Sequence, residues 1–106
     1  MRVKKLKSYL IIRLDPNERI IDNLLKACSS ENVKLATLSG IGSVREVNLG
    51  FYDFNKKSFV KKSFSQQMEV VSLIGNVTIL GKDPYIHAHI SLSDKNFNCI
   101  GGRSFS

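Results

Sequence analysis

The chain has 106 residues, a length that suits one domain with a single hydrophobic core. Hydrophobic residues make up 42% of it and charged residues 24%, a balance that argues against a disordered chain. No apolar run approaches the ~20 residues that a membrane-spanning helix needs. The two cysteines, Cys28 and Cys99, lack metal-motif spacing and are expected to be reduced thiols, which predicts a cytoplasmic protein.

The charge is the clearest compositional signal. The net charge of +7 comes from 16 Lys and Arg against 9 Asp and Glu, and this excess favours an acidic partner such as nucleic acid. It is concentrated in residues 2–7 and 56–64, where the candidate nucleic-acid-binding side chains are Lys4, Lys5, Lys56, Lys57, Lys61 and Lys62. A generally basic surface, or a hairpin whose lysines prevent edge-to-edge strand pairing, would have the same composition.

In chain order, the first predicted elements are a strand and a helix. Residues 8–14 alternate apolar positions on one face, as a strand does. Asp15 is placed to cap the following helix, and Glu18 completes a D-x-x-E box. The helix is predicted over about residues 16–31, and Asn32 is suited to the left-handed turn that ends it.

The remaining sequence predicts strands joined by short loops. Gly40-x-Gly42 is interpreted as a strand-to-strand turn, because a phosphate-binding loop would need a third glycine and a following helix. Phe51 is expected to face the core, and the long apolar segment 66–80 is expected to bend at Gly75. One helix among many strands predicts an α+β domain with a mostly antiparallel sheet.

Both histidines of the chain fall in one strand-like segment, "PYIHAHISLS". Because strand side chains alternate, His87 and His89 share the face opposite the apolar residues. Their Cβ atoms are expected roughly 7 Å apart, close enough for both imidazoles to bind one cation. The alternative interpretation is a polar pair on a solvated face or in interface hydrogen bonds.

A metal site needs a third ligand, and the residues leave its identity open. If the last hairpin turns tightly at Asp94 and Lys95, Ile90 faces Cys99 and the thiol lies on the core side, whereas a slip of one residue reverses this. Glu69 is a looser candidate ligand. No local motif places a Ser-His-Asp or Cys-His set, so we expect no catalytic residues and no enzymatic activity.

The order of these segments resembles the plants-and-prokaryotes-conserved (PPC) domain, found in small prokaryotic proteins and in plant AT-hook nuclear proteins. The resemblance rests on "RLDPNERIIDNLLKACSSENVKLATLSGIGSV", "EVVSLIGNVT", "PYIHAHISLSD" and a Gly-Gly pair, and it covers almost the whole chain. It implies one α+β domain over residues 1–106, a homotrimer and a DNA-associated role.

The resemblance also implies a zinc site, which this sequence matches only in part. The resemblance implies that, in bacterial relatives, the two histidines of the H-x-H segment bind zinc together with a third histidine. This third histidine follows the Gly-Gly pair, and the site lies near a subunit boundary. His87 and His89 match, but the third position is Arg103, and a guanidinium does not bind a metal. Zinc is the candidate cofactor. Arg103 would suit a carboxylate or phosphate instead.

Two departures from the family shape the functional expectation. Relatives continue beyond the Gly-Gly pair with more strand, so the fold is expected to lack the C-terminal strands of the family. The Arg-Gly-Arg-Pro hook of the plant relatives is absent, so DNA binding without sequence preference rests on charge alone. We expect a non-enzymatic, homo-oligomeric, DNA-associated binding domain; the alternative is a metal- or small-anion-binding protein, or an uncharacterised enzyme, that uses the H-x-H strand and Arg103.

Overall fold

The computed structural model describes residues 1–106 and contains one helix and six strands. These are β1 (Arg2–Leu6), β2 (Tyr9–Arg13), α1 (Ile20–Ser30), β3 (Ala36–Asp53), β4 (Ser58–Leu80), β5 (Asp83–Ser93) and β6 (Cys99–Ser104). β1 and β2 form a separate antiparallel pair, whereas β3 to β6 close into a barrel of antiparallel strands. The α+β fold with a mostly antiparallel sheet is therefore confirmed. The helix lacks the length and apolar composition that a membrane crossing requires.

The core lies inside this barrel and beneath α1, which packs against β5. On β5 every second side chain points inward and is buried, as the alternation predicts. The buried side chains of this strand are Ile86, Ala88, Ile90 and Leu92. From the helix, Ile21 and Cys28 complete the same apolar cluster.

The helix begins at Ile20, later than the predicted start near residue 16. Asn17 has a left-handed backbone (φ 72°), which a right-handed helix cannot include. Arg19 takes the N-cap position without a side-chain hydrogen bond. The predicted end is confirmed, because Asn32 adopts φ 59° directly after the last turn.

Asp15 and Glu18 do not cap α1, although Glu18 accepts a hydrogen bond from the backbone N–H of Asp15, as a D-x-x-E box predicts. The carboxylate oxygens of Asp15 and Glu18 lie 2.8 and 2.6 Å from the amino group of Met1. Hydrogen bonds to this ammonium group lower the pKa of both carboxyl groups, and the same bonds raise the pKa of the amino group. This charge cluster ties the start of β1 to the segment that precedes α1.

The Gly40–Ser43 segment is not a turn. It lies inside the continuous strand β3, where the register shifts between Gly40 and Gly42 mark a bulge. A bulge lets a strand bend while it stays paired, and this bend helps β3 to curve around the barrel. No helix follows the two glycines, so the segment does not form a phosphate-binding loop.

The basic segment and the long apolar segment 66–80 form one continuous strand, β4. In its pairing with β5 the bulge lies at Val71, not at the predicted Gly75. Gly75 is needed for close packing. A Cβ atom there would lie 2.5 Å from the carbonyl oxygen of His87 and 2.7 Å from the Cα atom of Ala88. A larger residue would therefore force β4 and β5 apart.

The outer ends of β3 and β4 extend past the barrel as a two-stranded ribbon. Beyond Gly50, β3 pairs with β4 alone, because its pairing with β6 involves only Leu49 and Gly50. Phe51 points to the same side as the buried Leu49 but is 69% exposed, since no third element covers that side. The expectation that Phe51 lies in the core is wrong for this reason.

The last hairpin also turns differently from the prediction. Ser93 pairs with Cys99 and Ile90 pairs with Gly102, so the connection spans five residues from Asp94 to Asn98. The side chain of Asp94 stabilises this wide turn by accepting backbone hydrogen bonds within it. The shifted register places Cys99 on the exposed side, not on the core side.

Candidate functional site

The candidate site is the outer face of the barrel where β5, β6 and β3 lie side by side. The register pairs His89 of β5 with Arg103 of β6, and Arg103 in turn with Gly50 of β3. The neighbouring Ile90 and Ser104 are buried and point inward. By alternation, His89 and Arg103 therefore project together from the outer face.

The two histidines lie next to each other on this face. The ring centroids of His87 and His89 are 5.1 Å apart, with an angle of 68° between the ring planes. Desolvation lowers the pKa of His87 below its ordinary value, and the positive charges of Arg103 and His89 act in the same direction. The neutral form of His87 is favoured, and neutral imidazole can both donate and accept a hydrogen bond.

The residues beside the histidines do not complete a metal site. No group of three His, Cys, Asp or Glu side chains lies close enough to hold a metal ion. Glu69 and Cys99 both pair with Ser93, at the far end of β5 from the histidines. The position opposite His89 is Arg103, whose positive charge opposes a cation. Two imidazoles and a guanidinium do not fit the tetrahedral ligand set that zinc requires.

Arg103 lies among aromatic rings and has no acidic partner. Its Nη2 atom donates a hydrogen bond of 2.5 Å to the hydroxyl of Tyr85. Its Cζ atom lies 5.2 Å from the ring centroid of Phe59 and 5.1 Å from that of Phe105, within the range of cation–π attraction. The only ion pairs of the chain involve the amino group of Met1. The guanidinium therefore keeps further N–H donors for an anion.

Four aromatic side chains form a continuous row beside Arg103, which we call the aromatic row: Tyr52, Phe54, Phe59 and Phe105. The ring centroid of Tyr52 lies 5.5 Å from that of Phe54 and 5.2 Å from that of Phe59. The centroids of Phe59 and Phe105 are 5.2 Å apart, and all three contacts are edge-to-face. Lys61 adds a second cation, with its Nζ atom 4.3 Å from the ring centroid of Phe105.

The last residues of the chain hold one end of the aromatic row in place. The backbone N–H of Phe105 donates to the carbonyl of Asn48, which continues the pairing along β3. The ring of Phe105 occupies the space that a side chain at position 50 would fill, so a larger residue there would displace the ring. Sequence reasoning missed this contact, since positions 50 and 105 are distant in the chain.

The structure does not bring the predicted lysines to one face: Lys4, Lys5, Lys56, Lys57, Lys61 and Lys62. The first two lie on β1 in the separate hairpin, and the next two lie in the turn between β3 and β4. The last two are neighbours on β4 and project to opposite sides, Lys61 over Phe105 and Lys62 over the ring of Phe64. Lys61 alone joins Arg103 and the aromatic row.

The aromatic row had a sequence signal that the charge pattern obscured. Tyr52 and Phe54 are two residues apart on one side of the turn, as are Phe59 and Lys61 on the other. Period-two spacing on both strands of a hairpin places such residues on one face. Arg103 and Phe105 carried no comparable signal.

Comparison with known proteins identifies close structural relatives. The chain is similar to a "putative dna binding protein" from Bacteroides thetaiotaomicron, with a TM-score of 0.94 and 25% identity over 98% of this chain and 73% of that chain. It is also similar to a "Putative DNA-binding protein" from Ralstonia eutropha, with a TM-score of 0.90 and 28% identity over 97% of this chain and 71% of that chain. A third similar structure is a "Metal-containing Protein" from Archaeoglobus fulgidus, with a TM-score of 0.84 and 32% identity over 89% of this chain and 66% of that chain.

The sequence itself matches one family model over its full length. That model describes the Plants and Prokaryotes Conserved (PCC) domain and covers residues 1–106. A comparison with curated proteins gave no significant match. The family predicted from the order of segments is thus confirmed: the chain belongs to the Plants and Prokaryotes Conserved (PCC) domain family.

Proposed function

We propose that this protein is a non-enzymatic, homo-oligomeric binding domain that associates with DNA without sequence preference. The observation that carries this proposal is the charge of the β3–β4 hairpin over residues 47–64, which we call the basic hairpin. It contains Lys56, Lys57, Lys61 and Lys62 but a single acidic residue, Asp53. Two similar solved proteins, described as "putative" DNA-binding proteins, support the same interpretation.

The local structure leaves the charge of the basic hairpin uncompensated. The carboxylate of Asp53 accepts hydrogen bonds from the backbone N–H groups of Asn55 and Lys56 in the turn. None of the lysines forms an ion pair with a carboxylate. Because the ribbon extends past the barrel, Lys56 and Lys57 in its turn can approach a phosphate backbone without interference from the rest of the fold. Lys61 and Lys62 add positive charge on the two opposite faces of β4. Such contacts release counterions and carry no sequence information.

The test is the salt dependence of binding to a duplex of arbitrary sequence. Changing Lys56, Lys57, Lys61 and Lys62 together to Gln should weaken binding and reduce the slope of log K against log salt by about 0.9 for each phosphate that is no longer neutralised. The matched control carries the same charge change on exposed lysines elsewhere: Lys26, Lys34, Lys82 and Lys95. Its slope should stay close to that of the unmodified protein. Absence of duplex binding at low salt would remove the proposal.

A second candidate function is the binding of a small carboxylate or phosphate at Arg103. The observation that favours it is the register, which sets Arg103 opposite His89 and leaves the guanidinium without an acidic partner. An anion there would accept hydrogen bonds from the guanidinium and from an imidazole. Titration with inorganic phosphate, followed by NMR, should shift the His89 ring signals, and Arg103→Gln should abolish the shift. Equal shifts in both proteins would reject this candidate.

The homo-oligomeric part of the proposal rests on exposed apolar side chains. Val71 and Ile74 on β4 and Ile11 on β2 are each more than half exposed, at 52%, 63% and 56%. Exposed apolar surface of this kind often marks an interface between subunits. The preference for a trimer rests on the family resemblance. Light scattering at micromolar concentration should give three times the mass of the chain; a monomer would contradict the proposal, and a dimer only the trimeric state.

The proposed location is the cytoplasm. Cys28 is buried and Cys99 is exposed, and both are free thiols. A reducing compartment keeps an exposed thiol such as Cys99 in this state. Burial also raises the pKa of Cys28, which makes that thiol unreactive.

A further inference from the structure

We propose that the aromatic row binds single-stranded nucleic acid, with unpaired bases stacked on Tyr52 and Phe54 and phosphates held by Lys61 and Arg103. This inference rests on the proposed association with nucleic acid and adds which form of the polymer the face recognises. It concerns the outer face of the ribbon, whereas binding to a duplex needs only the lysine charges.

The rings of Tyr52 and Phe54 are exposed to solvent. Phe54 is 85% exposed and Tyr52 is 40% exposed. Phe59 and Phe105 are half-buried; Phe59 contacts Tyr52, and Phe105 contacts Phe59. The aromatic contact of Phe54 is with Tyr52, in an edge-to-face arrangement with centroids 5.5 Å apart and 71° between the ring planes. A large ring held this way offers a flat apolar face to water, and a nucleobase can cover that face by stacking.

Positive charges lie beside the same row of rings. Lys61 lies 4.3 Å from the ring centroid of Phe105, and Arg103 lies 5.1 Å from the same centroid. Neither cation is paired with a carboxylate. A row of aromatic rings with basic side chains at one end matches the chemistry of a single strand, which presents both bases and phosphates.

The exposed rings also bear on the form of nucleic acid. In a duplex the base faces are covered by their neighbours, and a protein reaches only phosphates and the edges of bases in the grooves. The exposed rings of the ribbon would have no base face to stack on in such a partner. Unpaired bases have free faces, so the rings contribute to affinity only when the partner is a single strand.

The experiment compares a fluorescent oligothymidine, the same strand with abasic sites and a duplex of equal length, all at one salt concentration. The variants are Tyr52→Ala with Phe54→Ala, and Phe54→Leu alone. The control is Phe97→Ala, because Phe97 is 87% exposed and lies in the β5–β6 turn outside the aromatic row. Thermal melts verify that each variant is folded, and light scattering gives its mass.

We expect the double variant to bind oligothymidine about 10- to 100-fold more weakly, because stacking on two rings is removed. Phe54→Leu should lose part of this affinity, duplex binding should be unchanged, and the control should match the unmodified protein. The abasic strand should bind the unmodified protein as weakly as oligothymidine binds the double variant.

Three outcomes would overturn this inference. Equal losses on the single strand and on the duplex would mean that the rings act only through the fold, and an unchanged single-strand affinity would mean that they do not stack. A lower mass of the double variant, without a specific loss of single-strand binding, would assign the face to contact between copies of the chain. In each case salt-dependent duplex binding could persist, so the proposed function would stand. If the unmodified protein bound neither the single strand nor the duplex, both the proposed function and this inference would be rejected.

Discussion

β3 and β4 run from the barrel into the ribbon beyond Gly50, and their apolar side chains are buried in the barrel but exposed in the ribbon. Within the barrel, the inward-facing Val47 and Leu49 of β3 pack in the hydrophobic core and are 1% and 6% exposed. Beyond Gly50 the same alternation continues, yet Phe51 and Val60 are 69% and 48% exposed. Alternation sets the direction of a side chain, and the presence of a covering element decides its burial. Apolar residues of the ribbon are therefore free for contacts with a partner.

The largest expected difference between the two regions is in stability. Leu49→Ala should lower the free energy of unfolding by about 2–5 kcal/mol, because it leaves a cavity in a packed core. Phe51→Ala, two residues along the same side of β3, should change it by less than about 0.5 kcal/mol. Urea denaturation of the two variants measures both values. Similar losses would show that the ribbon is covered in solution, as an interface between copies would require.

A second prediction tests how tightly β4 and β5 pack inside the barrel. Gly75→Ala should cost about 1–3 kcal/mol of unfolding free energy, because its methyl group would press on the backbone of β5. Gly40→Ala is the control on β3: its Cβ atom would find its nearest neighbour, in Leu73, at an ordinary 3.7 Å. Urea denaturation again provides the measurement. A tolerated Gly75→Ala would mean that the two strands are further apart than described.

The third prediction concerns zinc binding by the two histidines on the outer face of the barrel. The unmodified protein should bind zinc weakly, since His87 and His89 leave the ion without a third protein ligand. Arg103→His should strengthen binding by at least about 10-fold, because it supplies an imidazole and removes a positive charge. Isothermal titration calorimetry measures both, with Arg103→Gln as the control for loss of charge. Tight stoichiometric binding by the unmodified protein would reveal an additional ligand, such as one from a second copy.

The smallest expected effect concerns the protonation of His87. Its pKa should lie below the usual value of 6.5, and Arg103→Gln should raise it by removing a neighbouring positive charge. Because folding favours the neutral ring, the contribution of His87 to stability is present above about pH 6.5 and is lost as the pH falls through the lowered pKa. An NMR titration of the ring protons gives the value directly. A pKa of His87 above 6.5 would indicate a nearby negative charge that the structure lacks.

Local signals in the sequence predicted the elements better than their connections. The alternation around His87 and His89 and the left-handed Asn32 depend on nearest neighbours, and the structure has both. The glycines at 40 and 42 suit a turn and a bulge equally well, so only the partner strand decides between them. The wide turn before Cys99 depends on the side chain of Asp94, which the strand pattern does not include.

The composition of the site could be predicted only in part, for a related reason. The H-x-H pair and the position of Arg103 follow from the sequence and the family resemblance. The ring of Phe59 beside Arg103 does not, because these residues meet through the closure of the barrel between β3 and β6. Closure depends on the register of all four strands together, and a short sequence segment contains no information about it.

The most direct test of the central claim is to map where a nucleic acid binds. NMR amide signals of the protein can be followed while a short oligonucleotide is added at low salt, first as a single strand and then as a duplex. The largest shifts should fall within residues 47–64 and at Arg103 and Phe105 for the single strand, and near Lys56 and Lys57 for the duplex. Shifts confined to β1, β2 or α1, or no shifts at all, would contradict this claim.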